Sequence, residues 1–199
     1  MDKNLYLIQL TLKSNFMKNL KEYKYQDKIK FHNKCMRFIW NFVYILLFKS
    51  TPRGNLFNPW RKFLLVMFGS KIGKYSKISP SCKIWAPWNL QIGDYTAIDD
   101  DVYIYSMDKI IIGSKVAISK GTFLCTGTHE VYSLKRDIVM RPISISDHVW
   151  IASECFVHPG INIGEGSIIG ARSVVSNNIG SWVICSGNPC IEVKRRIII

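Results

Sequence analysis

Branched aliphatic residues recur at every sixth position in the second half of the chain. The run comprises Ile145, Ile151, Val157, Ile163, Ile169 and Val175. Neither an α-helix, at about 3.6 residues per turn, nor a strand, at about two, has this period. A β-solenoid has it, because each coil consists of three short faces and each face directs one aliphatic side chain inward. The pattern therefore predicts an all-β protein that winds as a triangular prism, with about 18 residues in a coil.

The same period occurs earlier in the chain, in three shorter runs that two-residue slips separate. These runs are Ile72, Ile78 and Ile84, then Ile92, Ile98, Ile104 and Ile110, and then Ile112, Ile118 and Leu124. We expect the solenoid to occupy residues 70–188. A loop insertion at residues 126–143 does not keep the period, and long excursions from a rigid scaffold often carry function.

The N-terminal third is more basic than the rest of the chain. The 199 residues contain 27 Lys and Arg and 14 Asp and Glu, a net charge of +13. Residues 1–66 contribute 13 of the basic side chains and 3 of the acidic ones. An anionic membrane surface is one natural partner for such a segment, at about 1 kcal/mol per basic residue near it, and nucleic acid is another. Of the two we expect a membrane surface and no nucleic acid.

An apolar stretch from Phe38 to Phe48 lies within this basic segment. Its 11 residues are fewer than the roughly 20 needed to span a bilayer. We expect a helix or a buried strand that either lies on a membrane or packs against the solenoid or a neighbouring subunit. Peripheral membrane contact through residues 1–55 is accordingly a hypothesis.

A second short element follows. Asn58 and Pro59 predict a helix that starts at Trp60, because Asn caps free amide groups and Pro suits the first turn. This helix would end at Gly69 and would cover the open end of the first coil, whose backbone groups need partners. We therefore divide the chain into a basic, partly helical segment at 1–66 and a solenoid domain at 67–199.

Targeting and cysteine patterns add two further expectations. The N-terminus has only a short apolar patch and no small-residue cleavage site, so no secretory signal is predicted and we expect the protein in the cytoplasm, at the inner face of the membrane. The six cysteines contain no C-x-x-C pair and no spacing typical of zinc ligands. We expect reduced, partly buried thiols and no metal.

His129 is the first candidate for chemistry, because it stands at the root of the loop insertion, near Gly127. An imidazole transfers protons readily near neutral pH. A histidine that merely makes a local hydrogen bond in a loop is the alternative.

A resemblance supports the catalytic alternative. It rests on four motifs, which are I-S-K-G-T-F-L-C-T-G-T-H-E, I-S-D-H-V-W-I, F-V-H-P-G-I-N-I-G-E-G-S-I-I-G-A-R-S-V-V and S-G-N-P. Together they resemble the hexapeptide-repeat acetyltransferases. The preceding N-P-W-R-K-F-L-L-V-M-F-G-S-K-I-G and A-P-W-N-L-Q-I-G-D resemble the branch typified by the colanic-acid biosynthesis acetyltransferase. The similarity covers Asn58 to Lys194.

This resemblance implies a left-handed parallel β-helix that forms a homotrimer, with acetyl-CoA as co-substrate in clefts between subunits. His129 matches the family's general base, and the backbone amide of Ser153 matches the donor to the oxyanion. The positions that match contacts to CoA are Trp150, Ala152, Ser153, Ala171, Ser176 and Lys194. The family often has Asp after the catalytic histidine, whereas this chain has Glu130.

The acceptor is expected to be a carbohydrate, in the biosynthesis of a surface polysaccharide. Asp99 and Asp101 belong to an acidic corner that could bind sugar hydroxyls, and Asn89 is a further candidate. Acidic residues also favour solenoid turns, and Asn89 could simply form a structural bend. The sequence does not identify the sugar, its carrier or the length of the acyl donor.

Three other functions compete with this interpretation. Serine or an antibiotic could be the acceptor of the acetyl group. Carbonic anhydrases also have this solenoid, but the four histidines of this chain do not provide the close pair that such a zinc site needs. A non-catalytic trimer is the third alternative, and the G-T-H-E motif argues against it.

Overall fold

The described part of the chain forms two compact units in the computed structural model. The structure describes residue 8 and residues 10–14, 29–132 and 135–198. One unit contains residues 129–138 and the described residues that precede 15, which are helical. The other, the solenoid unit, contains residues 29–128 and 139–198.

The solenoid unit is a parallel β-helix with three sheets, as the hydrophobic period predicts. Sheet A consists of β1 (Lys71–Ile72), β4 (Leu90–Ile92), β7 (Ile110–Ile112), β12 (Ile143–Ile145) and β15 (Asn162–Ile163). Sheet B consists of β2 (Lys77–Ile78), β5 (Ala97–Ile98), β8 (Ala117–Ile118), β13 (Trp150–Ile151), β16 (Ile168–Ile169), β18 (Val183–Ser186) and the antiparallel β19 (Ile191–Arg195). Sheet C consists of β3 (Lys83–Ile84), β6 (Tyr103–Tyr105), β9 (Phe123–Cys125), β14 (Phe156–Val157) and β17 (Val174–Val175).

Aliphatic side chains stack from coil to coil inside the prism. In sheet B the inward stack is Ile78, Ile98, Ile118, Ile151, Ile169 and Cys185. Each of these side chains is buried. The core is therefore built from the residues that recur at every sixth position.

The early coils are longer than the expected 18 residues. Lys71 pairs with Gln91, and Gln91 pairs with Ile111, so these coils have 20 residues. Ser144 pairs with Asn162, which gives the expected 18. The extra residues lie at the corner between sheet C and sheet A, where a 3-10 turn at Pro87–Asn89 widens the coil. The loop insertion leaves the solenoid at the same corner, two coils later.

Within residues 29–70, two helices precede the first coil. Helix α1 (Phe31–Val43) continues as a π-helical segment (Tyr44–Phe48). The apolar stretch from Phe38 to Phe48 is therefore helical, and the helix begins before that stretch, at Phe31. Helix α2 (Asn58–Met67) follows. No helix in the described ranges is long and apolar enough to cross a membrane.

The predicted cap of α2 is wrong. Phe57 occupies the N-cap position without a side-chain hydrogen bond, and Asn58 is the first helical residue. The Asn58 side chain instead donates to the carbonyl of Ser76 and accepts from the amide of Ile78. The Asn58 side chain therefore pairs with backbone groups of the first coil rather than with the free amides of its own helix, because the edge of that coil also has unpaired backbone groups.

Other side chains from the helices bond to the same edge. These bonds run from Trp40 Nε1 to Ile84 O (2.7 Å), from Arg61 Nε to Ile78 O (2.9 Å) and from Lys62 Nζ to Gly73 O (2.7 Å). The two helices therefore cover the open end of the solenoid, both with apolar side chains and with hydrogen-bond donors.

The C-terminal residues fold back on the solenoid. Strand β19 folds back antiparallel on β18, with Lys194 opposite Ile184. Arg196 then donates to the carbonyls of His148 (3.2 Å) and Gly166 (2.7 Å). Arg196 therefore holds the chain end against the last coils, because carbonyl groups there accept its hydrogen bonds.

All six cysteines are free thiols, and only Cys35 is exposed. Burial raises the pKa of the Cys185 thiol to about 11, and it also raises the pKa of Cys82. These thiols are therefore protonated near neutral pH and pack as small apolar side chains.

Candidate active site

The root of the loop insertion is tightly packed. The Thr126 hydroxyl donates to the carbonyl of Tyr105 (2.7 Å), and its carbonyl accepts from the Arg141 amide (2.9 Å). A Cβ atom on Gly127 would overlap Met107 Sδ. A larger residue at this position would have to displace the Met107 side chain, so glycine suits the point where the chain leaves the coil.

The loop itself begins and ends as a two-stranded ribbon of β10 (Gly127–His129) and β11 (Ile138–Met140). His129 is the last residue of β10, and its side chain is exposed. Its Nδ1 lies 2.6 Å from the carbonyl oxygen of Arg136. A carbonyl oxygen can only accept, so Nδ1 carries the proton and Nε2 of the neutral ring has the free lone pair.

Glu130 does not orient this imidazole. Its Oε1 accepts from the backbone amide of Tyr132 (3.1 Å), and the Glu130 amide donates to the carbonyl of Asp137 (2.8 Å). The Arg136 carbonyl takes the orienting role instead. Arg136 has φ 48°, a left-handed conformation that few non-glycine residues adopt. No side-chain pattern in the sequence could reveal it, because the acceptor is a backbone atom.

The expected CoA-contacting residues all belong to the solenoid unit. Trp150 is outward-facing in β13, 46% exposed, and its Nε1 donates to Ser119 Oγ (3.1 Å). Lys194 lies on the outer strand of the same sheet. The outward neighbours of Trp150 toward the N-terminus are Ala117 and Ala97, so sheet B has a shallow strip beside the indole.

Ser153 and Ala171 lie on neighbouring coils at the corner after sheet B. The Ser153 carbonyl accepts from the Arg172 amide (2.9 Å), and the Ala152 amide donates to Ile169 (2.9 Å). No acceptor within the described ranges is bonded to the Ser153 amide, which is free to bind another group. Ser176 lies at a different corner, directly after β17, so this chain does not bring it to the other five.

A cavity of about 330 Å³ opens on the N-terminal half of sheet B. The sheet contributes Lys77, Ala97 and Ala117 to its lining, and the segment between the helices contributes Arg53 to Asn55. Asp99 and Ser119 also line it. Of these residues only Asp99 is a candidate from the sequence, because the cavity forms from segments that are far apart in the chain.

The acidic corner is largely paired with cations. Arg53 bonds to Asp99 (3.1 Å) and to Asp100 (2.5 Å), and Lys120 lies 3.6 Å from Asp101. The hydroxyl of Ser79 bonds to Asp100 and lowers the pKa of that carboxyl. Asp101 is not part of the cavity lining.

Asn89 has structural partners. Its amide group donates to the carbonyls of Ser106 (3.0 Å) and Met107 (3.1 Å), which lie on the next coil. Like Asp101, it does not line the cavity. In residues 29–132 and 135–198, no three His, Cys, Asp or Glu side chains converge as metal ligands would.

Comparison with known proteins places this architecture in a class. A maltose O-acetyltransferase from Clostridium difficile 630 superposes with a TM-score of 0.77 at 24% identity, over 85% of this chain and 90% of that chain. The hexapeptide-repeat acetyltransferase VCA0836 from Vibrio cholerae O1 biovar eltor, solved with acetyl coenzyme A, gives 0.76 at 22%, over 89% and 96%. The fold is therefore that of the hexapeptide-repeat acetyltransferases.

Sequence similarity takes the assignment further. The chain is 41% identical over 159 residues to a protein of Escherichia coli (strain K12) named colanic acid biosynthesis acetyltransferase WcaF, and the match covers 80% of this chain and 86% of the relative. No protein-family model matches the chain. The chain belongs to the hexapeptide-repeat acetyltransferase family, in the branch of the colanic acid biosynthesis acetyltransferases.

Proposed function

We propose that the protein transfers an acetyl group from acetyl-CoA to a sugar hydroxyl in the biosynthesis of a surface polysaccharide, with His129 as general base. The observation that carries the proposal is the hydrogen bond from His129 Nδ1 to the Arg136 carbonyl. It fixes the tautomer whose Nε2 can accept a proton. Family membership supplies the reaction class.

In the proposed reaction, Nε2 of His129 takes the proton of the acceptor hydroxyl while that oxygen attacks the thioester carbonyl carbon. The tetrahedral intermediate bears a negative oxygen, and the free amide of Ser153 is the proposed donor to it. When the intermediate collapses, the carbon–sulfur bond breaks and the CoA thiolate leaves. The thiolate then receives from the imidazolium the proton that came from the acceptor hydroxyl. The base is restored, and no covalent enzyme intermediate forms.

Acetyl-CoA fits the outer surface of sheet B. The alanines beside Trp150 leave room for a narrow chain to lie along the coils, and Lys194 offers a cation for a phosphate group. VCA0836, which shares the fold, has been solved with acetyl coenzyme A. Trp150, Ala152, Ser153, Ala171 and Lys194 are the proposed contacts within one chain. Ser176, at its separate corner, would reach CoA from a neighbouring subunit.

The cavity beside Asp99 is the proposed site for the carbohydrate acceptor. Its lining combines a carboxylate, a hydroxyl and cations with an apolar floor, as sugar binding requires. The maltose O-acetyltransferase of similar fold is named for a sugar acceptor. Asp101 and Asn89 stay predicted acceptor contacts, although both have partners within the solenoid.

A homotrimer is the proposed assembly. The outward row of sheet C contains Tyr103, Phe123 and Phe156, which contact one another as stacked or edge-to-face rings. Each ring is only half-buried in the single chain. A neighbouring subunit would remove this aromatic surface from water.

The test is thiol release from acetyl-CoA with a panel of sugars, nucleotide sugars, glycans and serine. We expect His129→Ala to lower kcat by about 10²- to 10⁴-fold, the usual contribution of a general base. His32→Ala is the matched control, because His32 is also exposed but lies on α1. Equal turnover of His129→Ala and the wild type would refute the role of His129, and turnover with serine alone would refute the sugar acceptor.

A further inference from the structure

The outward side of the first helix is apolar, although its inward side is already buried against the first coil. The inward side chains include Trp40 and Phe48, which are fully buried. The large apolar side chains that are exposed are Phe31, Phe38, Ile39, Phe42, Ile45, Leu46 and Leu47. Phe38 is 76% exposed and Phe42 is 64% exposed. An exposed apolar surface of this extent normally marks an interaction site, so this face needs a partner.

Helix α2 extends the same surface. Leu64 and Leu65 face the first coil, while Trp60 and Phe63 are exposed and stacked on each other. Trp60 Nε1 donates to the carbonyl of Leu47 (3.0 Å), which joins the exposed sides of the two helices. We call the whole set the basal surface, and it comprises the exposed side chains of α1 and the π-helical segment together with Leu56, Phe57, Trp60, Phe63, Val66 and Met67.

Charge decides among the partners that could cover the basal surface. Residues 29–67, which contain the basal surface, include seven Lys and Arg and no Asp or Glu. Two of the seven are already engaged, because Arg53 pairs with Asp99 and Asp100 and Arg61 is buried. Lys30 is exposed directly before α1, and Lys49 is exposed directly after the π-helical segment. A cation therefore stands at each end of the apolar stretch.

This combination matches one kind of partner. A second copy of the same surface would bring cations against cations without a carboxylate to pair them. Anionic lipid headgroups would neutralise the lysines, and the aromatic and aliphatic side chains would enter the boundary of the acyl chains. We infer that the basal surface docks the protein on a bilayer that contains anionic lipid.

The basal surface differs from the membrane contact expected from the sequence. The sequence predicts contact through residues 1–55, whereas the basal surface spans residues 31–67 and includes α2. It is independent of the catalytic proposal, because no residue of the basal surface is among the proposed catalytic, CoA-binding or acceptor-binding groups.

The first measurement uses the full chain and sedimentation with vesicles. We expect binding to vesicles of phosphatidylcholine with phosphatidylglycerol and weaker binding to phosphatidylcholine alone. Raising the salt from about 0.1 M to about 1 M shortens the Debye length from about 10 to about 3 Å, and should weaken the binding to anionic vesicles. Absence of binding to anionic vesicles at the lower salt would overturn the inference.

Two pairs of substitutions separate the apolar and the electrostatic parts. We expect Phe38→Gln with Phe42→Gln to lower the partition coefficient by about tenfold or more, since two aromatic side chains no longer enter the bilayer. The matched control is Ile197→Gln with Ile198→Gln, because both isoleucines are exposed at the C-terminal end of the chain. Equal loss of binding in both double variants would contradict a specific surface.

For the charges, Lys30→Gln with Lys49→Gln should weaken binding about fivefold for each lysine removed. Lys109→Gln with Lys115→Gln is the matched control on the solenoid, and it should bind as the wild type does. The lysine variant keeps every apolar contact, so it tests the inference even if the phenylalanine variant unfolds. Unchanged binding of the Lys30 and Lys49 variant would overturn the electrostatic part and with it the inference.

Two further readouts keep the alternatives apart. Sedimentation equilibrium shows whether the phenylalanine variant loses an assembly that the wild type forms. If it does, and the wild type does not bind vesicles, the basal surface is a subunit interface and the inference is wrong. Thiol release with a soluble acceptor should be the same for the wild type and the lysine variant. A protein that binds vesicles but lacks turnover would refute the proposed function and leave the docking surface intact.

Discussion

At the scale of single residues, the candidate site depends on backbone atoms. The Arg136 carbonyl selects the tautomer of His129, and the packing of Gly127 fixes where the loop leaves the coil. Residues 129 and 127 stand out in the sequence, but their partners do not. A carbonyl group is the same in every residue, so its role is visible only when the chain is folded.

Gly127→Ala tests the packing of the loop root. The added Cβ would overlap Met107 Sδ and approach Tyr105 Cε1 to 3.1 Å. We expect a loss of about 1–3 kcal/mol in the free energy of unfolding, as for an overpacked core, and lower turnover because the loop shifts. Gly180→Ala is the matched control, because nothing lies within 4 Å of its added Cβ. Chemical denaturation measures both, and equal stability of the two variants would contradict the packing argument.

At the scale of elements, the helices act as a cap on the first coil. The first coil of a solenoid has no preceding coil to bond to, so its backbone groups would be exposed. Arg61 is the main donor in this cap. Its guanidinium also bonds to Thr51 Oγ1, Pro52 O and Gly54 O, and thereby holds the segment between the helices.

Arg61→Met should uncouple this cap. The substitution keeps the apolar stem but leaves buried carbonyl groups without a donor, at about 1–3 kcal/mol for each. We therefore expect a loss of about 2–4 kcal/mol in the free energy of unfolding. Arg172→Met is the matched control, since Arg172 is 80% exposed and its pair with Glu154 should contribute about 0–1 kcal/mol. Comparable losses in both variants, measured by urea unfolding, would argue against the capping role.

At the scale of the whole molecule, the three outer faces of the prism differ in chemistry. The outward row of sheet A is polar apart from Ile111, with Lys71, Gln91, Ser144 and Asn162, and that of sheet C is aromatic. Sheet B is shallow beside Trp150. One face therefore suits solvent, one suits a subunit neighbour and one suits an extended ligand.

Phe123→Glu tests the assignment of sheet C to the subunit interface. We expect the wild type to sediment with three times the 22.9 kDa chain mass and the variant to dissociate, because a buried carboxylate without a partner is costly. Ser144→Glu places the same charge on sheet A and should leave the assembly unchanged. A trimer that survives Phe123→Glu, or a monomeric wild type, would contradict the proposed interface.

The sequence by itself determined the solenoid, because every sixth position meets the same apolar interior and so must be aliphatic. It also indicated the helix that follows Asn58, the position of the loop insertion and His129 as the candidate base. The tertiary structure alone decided the 20-residue early coils, the docked C-terminal strand, the role of Asn58 and the cation partners of Asp99 and Asp100. These features depend on contacts between residues many positions apart, and a repeating pattern carries information only about what each coil has in common.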